Sequence, residues 1–187
     1  MQQLDILNIL FNETNRNTLD KLGQIHKYTK HYLLLAEELS EEGVSFLQPL
    51  KEHRDAYDHL MRIFSLHLKV ADVPSDFDYN YYVEDNLKKA CGHEYRAFFD
   101  TADWLTFICR KHIREKLSFN AKKKLYILKY SETDFEETKS FINQVPHDIA
   151  MYREKKDISN SSLLQEIEEY RKTLDKLIDI YKKVQLL

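Results

Sequence analysis

Three glycines and three prolines are all that interrupt 187 residues. A many-stranded fold needs turn residues that accept positive φ or carry a fixed φ at every tight connection, and so few cannot supply them. The chain is therefore limited to a handful of long elements. Its apolar residues recur at three- and four-residue spacing, the helical period. These two facts predict an all-α fold, an up-and-down helical bundle of about five to six helices with two long central helices, in a single domain over residues 1–187.

The pattern divides the chain as follows. Leu4, Leu7, Leu10 and Phe11 predict a short first helix. Asn15 or Asn17 caps a longer one, with Leu22, Ile25, Tyr28, Tyr32, Leu35 and Leu39 on one face, and it stops near Ser40–Gly43. Pro49 suits the first turn of the next helix, where a missing N–H costs nothing. That helix runs to about Lys69, with Leu50, Tyr57, Leu60, Met61, Phe64 and Leu68 as its core stripe. Val70–Asn80 reads as a loop. A long helix over residues 81–117 follows, its seam formed by Val83, Leu87, Cys91, Glu94, Phe98, Ala102, Leu105, Ile108 and Ile113. Leu125–Tyr130 admits a strand, although a lone strand would lack a partner. Ser131 with Asp134 marks another helix start, and Pro146 a kink or an end. After a loop at Lys155–Asn160, a last helix starts near Ser162. It carries a near-heptad stripe through Leu163, Ile167, Tyr170, Leu174, Leu177, Ile178, Tyr181 and Val184.

Charge and composition narrow the function classes. With 28 Lys+Arg against 31 Asp+Glu, the net charge of −3 argues against a protein that coats nucleic acid, while leaving room for a local basic patch. No stretch approaches the ~18 apolar residues of a membrane span. The N-terminal residues MQQLDILNILFNETN lack a basic stretch and read poorly as a signal peptide. A cytoplasmic protein with no membrane contact is the expectation. Cys91 and Cys109 read as reduced core residues on one helix.

The most conspicuous charged pattern is Glu-x-Arg-x-x-x-Asp, present as Glu52, Arg54 and Asp58 and again as Glu94, Arg96 and Asp100. Glu94 falls on an apolar seam, where an unpaired carboxylate would be costly. Antiparallel packing of the two helices would set Arg54 or His53 opposite Glu94, and Arg96 opposite Asp58 or Glu52. The pattern then either locks the two helices in register or lines a charged cleft, with Arg54 and Arg96 suited to an anion. His59 joins the same region and, with Asp55 at i,i+4, forms half of a carboxylate–histidine site. No Glu-x-x-His pair or zincin pattern occurs, so neither a metal nor another cofactor is assigned.

Two readings involve RNA. Arg110, Lys111, Arg114, Lys116, Lys122, Lys123 and Lys124 gather around a single acid, Glu115, near Tyr126 and Tyr130, which suits phosphate contact or the negative end of a helix dipole. In Arg62-Ile-Phe-Ser-Leu-His67 a histidine follows an arginine by five residues within a helix. This resembles the motif of HEPN-type helical domains, many of them metal-independent ribonucleases of bacterial conflict systems. The resemblance covers this helix pair alone, and Arg62 lacks the polar residue that often follows the arginine. It implies a homodimer whose cleft uses Arg62 to position the scissile phosphate and His67 to assist proton transfer. Arg54 and His59 repeat the spacing. Within one continuous helix, five residues leave the two side chains about 140° apart.

The leading expectation is a non-enzymatic helical interaction module, a subunit or adaptor of a bacterial assembly such as a defence system. It would bind a protein partner or self-associate through the C-terminal helix. The alternative is a HEPN-like ribonuclease acting as a homodimer on RNA.

Overall fold

The computed structural model describes residues 6–40, 46–68, 76–155 and 163–187. It is an all-α helical bundle, and every regular element among the described residues is a helix. There are seven rather than five to six: α1 (Ile6–Leu10), α2 (Glu13–Leu39), α3 (Leu47–His67), α4 (Tyr79–Ser118), α5 (Asn120–Lys129), α6 (Glu132–Lys155) and α7 (Leu163–Gln185). The two longest are α2, with 27 residues, and α4, with 40. Leu4, the stop beyond Ser40, the loop before Asp76, the loop after Lys155 and the Ser162 start lie outside the described residues.

Local hydrogen bonding sets the helix starts. Asn12, not Asn15 or Asn17, caps α2: its Oδ1 accepts the Asn15 N–H at 2.8 Å. Asn15 is instead buried, and its Nδ2 donates to the Ile9 carbonyl at 2.8 Å, tying α1 to α2. Asp78 Oδ1 accepts the Tyr81 N–H at 3.0 Å, so α4 begins slightly before the expected start. Ser131 Oγ accepts the Asp134 N–H at 3.0 Å, as the Ser131–Asp134 pattern predicts.

One expectation changes, and one of two alternatives falls away. Leu125–Tyr130 is helical in α5 and its C-cap, because Tyr126 is buried on one side while Leu125 and Leu128 stay exposed. A strand there would have had no partner. The helix around Pro146 does not end but continues to Lys155. Interior proline costs about 3 kcal/mol, and the buried face of Phe135, Ile142, Val145 and Ile149 outweighs it.

The described chain forms two compact units, one from Met1–His31 with Phe46–Asp100, the other from Tyr32–Ser45 with Thr101–Leu187. Within the first, Ile6, Leu10, Ile63, Leu66, Val83 and Leu87 form a core against which Leu19, Leu60 and Phe77 pack. Within the second, the near-heptad stripe of α7 is buried from Leu163 to Val184, and Cys109 is fully buried. Burial pushes the Cys109 thiol up to about 12. Cys91 in the first unit is buried as well, and both cysteines are free.

Buried tyrosines anchor polar ties in the second unit. Tyr170 donates to Asp103 Oδ1 at 2.6 Å, and Arg153 Nε donates to Asp103 Oδ2 at 2.8 Å. Tyr126 and Lys183 both reach Asp134, at 2.5 and 2.8 Å, joining α5, α6 and α7. The Lys183 hydrogen bond, then the one from Tyr126, holds the Asp134 carboxyl below its ordinary value. A carboxyl depressed in this way stabilises the fold fully above its ordinary pKa of 3.8, and the contribution fades as the pH falls below that. Asp134→Asn should therefore destabilise the protein by about 1–2 kcal/mol at neutral pH. The gap to wild type should close below about pH 4. Urea unfolding at neutral and acid pH measures both.

Candidate functional site

The two faces of α3 carry opposite chemistry. Its inner face presents Glu52, Ala56, Ile63 and Leu66, all buried. His59 lies among the apolar members and His53 on their flank, both half-buried. The helix runs antiparallel to α4 in the first unit, since His53 meets Glu94 and, further along, His59 meets Asn86. That register puts Ala56 level with Ala90, both buried.

Around this crossing a polar network spans α2, α3 and α4. Glu94 is only 4% exposed. Its Oε1 accepts hydrogen bonds from His53 Nδ1 at 2.9 Å and His26 Nδ1 at 3.2 Å. Its Oε2 is buried with no hydrogen-bond partner. One helical level away, Glu52 Oε2 accepts from His93 Nδ1 and from Arg96 Nε, each at 2.8 Å. Burial opposes ionisation of Glu52, but the bonds from His93 and Arg96 outweigh it and hold the carboxyl below its usual range. His59 donates to Asn86 Oδ1 at 2.9 Å, and its ring stacks on His93 with centroids 5.4 Å apart.

Of the charged residues singled out in the sequence, this network takes in Glu52, His59, Glu94 and Arg96. It confirms two of the antiparallel pairings, His53 with Glu94 and Arg96 with Glu52. Arg54 does not face Glu94: it is exposed and bonds Asp55 at 2.7 Å. Asp58 pairs with Arg62 at 2.6 Å on the solvent side. Asp100 lies further along α4, half-buried. The duplicated motif thus splits, its glutamates turned inward and its first arginine outward. His26 was invisible to pattern reading because nothing in α2 marks it. The one sequence signal pointing to it was the need of Glu94 for donors beyond those of α3.

The remaining candidates are dispersed. Arg62 is exposed and His67, the last residue of α3, is half-buried. Both lie on one continuous helix, which sets their side chains about 140° apart. In the second unit, Arg110 is half-buried with its Nε lacking a hydrogen bond, and burial, then the charge of Arg114, lowers its pKa. Lys111, Arg114 and Lys124 are exposed. Lys122 reaches the Leu187 carbonyl, and Lys123 stands 4.9 Å over the Phe135 ring. Arg114 and Lys123 also rim a groove of about 290 Å³ whose floor includes Phe135 and Ile142.

The outer face of α3 is the second notable surface. Leu47, Leu50, Arg54, Tyr57, Met61, Phe64 and Leu68 follow alternating three- and four-residue steps, the a and d positions of three heptads. Every apolar member is exposed, with Leu47 at 74%, Tyr57 at 63% and Leu68 at 67%. This corrects the stripe expected to form the core, of which only Leu60 packs inward. The most hydrophobic face of α3 points outward, and the face with the glutamates and histidines points inward.

No family model matches the chain, and no curated protein or solved structure is significantly similar to it. No described helix is long and apolar enough to cross a membrane.

The inner network makes a quantitative prediction. A double-mutant cycle between Glu52 and Arg96 should return a coupling of about 1–2 kcal/mol, while a cycle between Arg54 and Glu94 should return zero within error. Chemical denaturation of the single and double alanine variants measures both.

Proposed function

We propose that the protein is a helical interaction module that self-associates through the outer face of α3. The observation that carries this reading is the exposed heptad seam from Leu47 to Leu68. A contiguous apolar stripe left in water marks an interface. At 21 residues, α3 offers a seam of about 30 Å. The C-terminal helix, expected from its sequence to be the docking element, offers less support for that role, because its heptad residues from Leu163 to Val184 are buried within the chain.

A second copy is the occupant that the seam itself favours. Two antiparallel copies related by a two-fold axis would set Leu47 against Phe64 of the second copy and Leu50 against Met61, each contact made twice. In that register Arg54, the single charged seam residue, lies over the second copy's Tyr57 ring, a favourable cation–π geometry. Lys51 and Asp58 flank the seam on one edge and come side by side with opposite sign. One helix thus matches itself in shape, charge and register. As a dimer the protein would serve as a subunit or adaptor, with its other surfaces free for further contacts.

Sedimentation equilibrium of the full chain tests the proposal. We expect a dimer, weakened about 30-fold or more by Tyr57→Asp or Phe64→Asp. Lys51→Glu should weaken it too, and adding Asp58→Lys should restore it. A monomer at ~100 μM, or a dimer indifferent to both seam substitutions, overturns the reading.

A further inference from the structure

We propose that His26, His53 and Glu94 form a binding site for a divalent transition-metal ion, of which Zn²⁺ best fits the donor set. The three residues come from α2, α3 and α4, and one ligand-capable atom of each lies within 4.8 Å of the other two. Two imidazoles and a carboxylate are a common protein donor set for Zn²⁺, with a fourth position left open. Bonds of about 2.0–2.1 Å to a tetrahedral ion place neighbouring ligand atoms ~3.3 Å apart. Glu94 Oε1 already stands 2.9 Å from His53 Nδ1 and 3.2 Å from His26 Nδ1.

Two independent features of Glu94 separate this cluster from an ordinary hydrogen-bonded histidine pair. First, its second oxygen is buried and has no hydrogen-bond partner, a costly state for a carboxylate and one that a cation relieves. Second, the guanidinium nearest in sequence, Arg96, turns away to Glu52, so the donors that reach Glu94 are imidazoles. In the metal-free state both imidazoles must present Nδ1–H to the same oxygen. Binding an ion converts those nitrogens from donors to ligands and places a divalent charge beside the buried carboxylate.

The surroundings suit a loaded site. The His26 side chain is half exposed while those of His53 and Glu94 are well covered, so an ion enters, and a water or small anion completes its coordination, from the α2 side. The rings of His26 and His53 already meet edge to face with centroids 5.2 Å apart, which orients both nitrogens without large rearrangement. Because the ligands come from three helices, loading would cross-link them. The site meets α3 at His53, on the flank between its buried face and the apolar seam, so metal uptake is read by calorimetry and self-association by sedimentation.

The test is calorimetric titration of chelator-stripped full-length protein with Zn²⁺ alone, with Co²⁺ absorption as a geometric probe. One equivalent should bind per chain and raise the melting temperature. Glu94→Gln, which keeps the shape of the side chain, and His26→Ala should each weaken binding by more than about 100-fold. His147→Ala, an exposed histidine on α6, should leave it unchanged. Circular dichroism of each variant reports folding, and if Glu94→Gln unfolds, His26→Ala, on the solvent-facing side, decides alone. Absence of stoichiometric binding overturns the proposal, as does binding that survives His26→Ala in folded protein.

Discussion

Two glutamates buried between α3 and α4 set the terms for the first unit. A buried carboxylate left without donors would cost several kcal/mol, so Glu52 and Glu94 can be inside only where imidazole and guanidinium groups meet them. Each takes donors from the facing helix, Glu52 from His93 and Arg96, Glu94 from His53, with His26 of α2 added. Sliding α3 by one turn along α4 would break the three bonds between those two helices at once. The apolar contacts of Ile63 and Leu66 with Val83 and Leu87 would tolerate such a slip far better, because dispersion and hydrophobic burial are not directional. Polar pairing therefore supplies register, and apolar burial supplies most of the driving force.

Turning the glutamates inward has a consequence on the other side of the helix. Positions 52, 56, 59 and 63 share one face, and the heptad seam centred on Arg54, Tyr57 and Met61 lies opposite. Once the first set is buried, the second cannot be. The same choice that satisfies Glu52 leaves Leu47, Tyr57 and Leu68 in water.

The second unit solves a different problem. Its α7 stripe is apolar enough to define a core unaided, and its polar groups sit at the margins. Tyr170, Tyr126 and Tyr32 each bury a ring and place the hydroxyl on a carboxylate, Asp103, Asp134 and Asp175 respectively. Arg153 and Lys183 then complete the first two. These ties use the amphipathic character of tyrosine, an apolar body with a polar tip, and account for part of the abundance of that residue in the chain.

Sequence alone determined the all-helical class, most helix spans, the reduced buried cysteines and the core stripe of α7, because period and the scarcity of glycine and proline are local properties of the chain. It also placed Glu94 on a seam and named His53 and Arg96 as facing partners, since i,i+3 and i,i+4 spacing fixes which residues share a face. It put the stripe of α3, Leu60 apart, on the wrong side, because the rule that the most apolar face is the buried one holds only when nothing costlier must be buried first. The joining of His26 to His53 and Glu94, the outward turn of Arg54 and the exposure of the heptad seam were decided by tertiary structure. Each depends on how α3 is rotated between α2 and α4, and that rotation is set by donors on neighbouring helices that no spacing within α3 reveals.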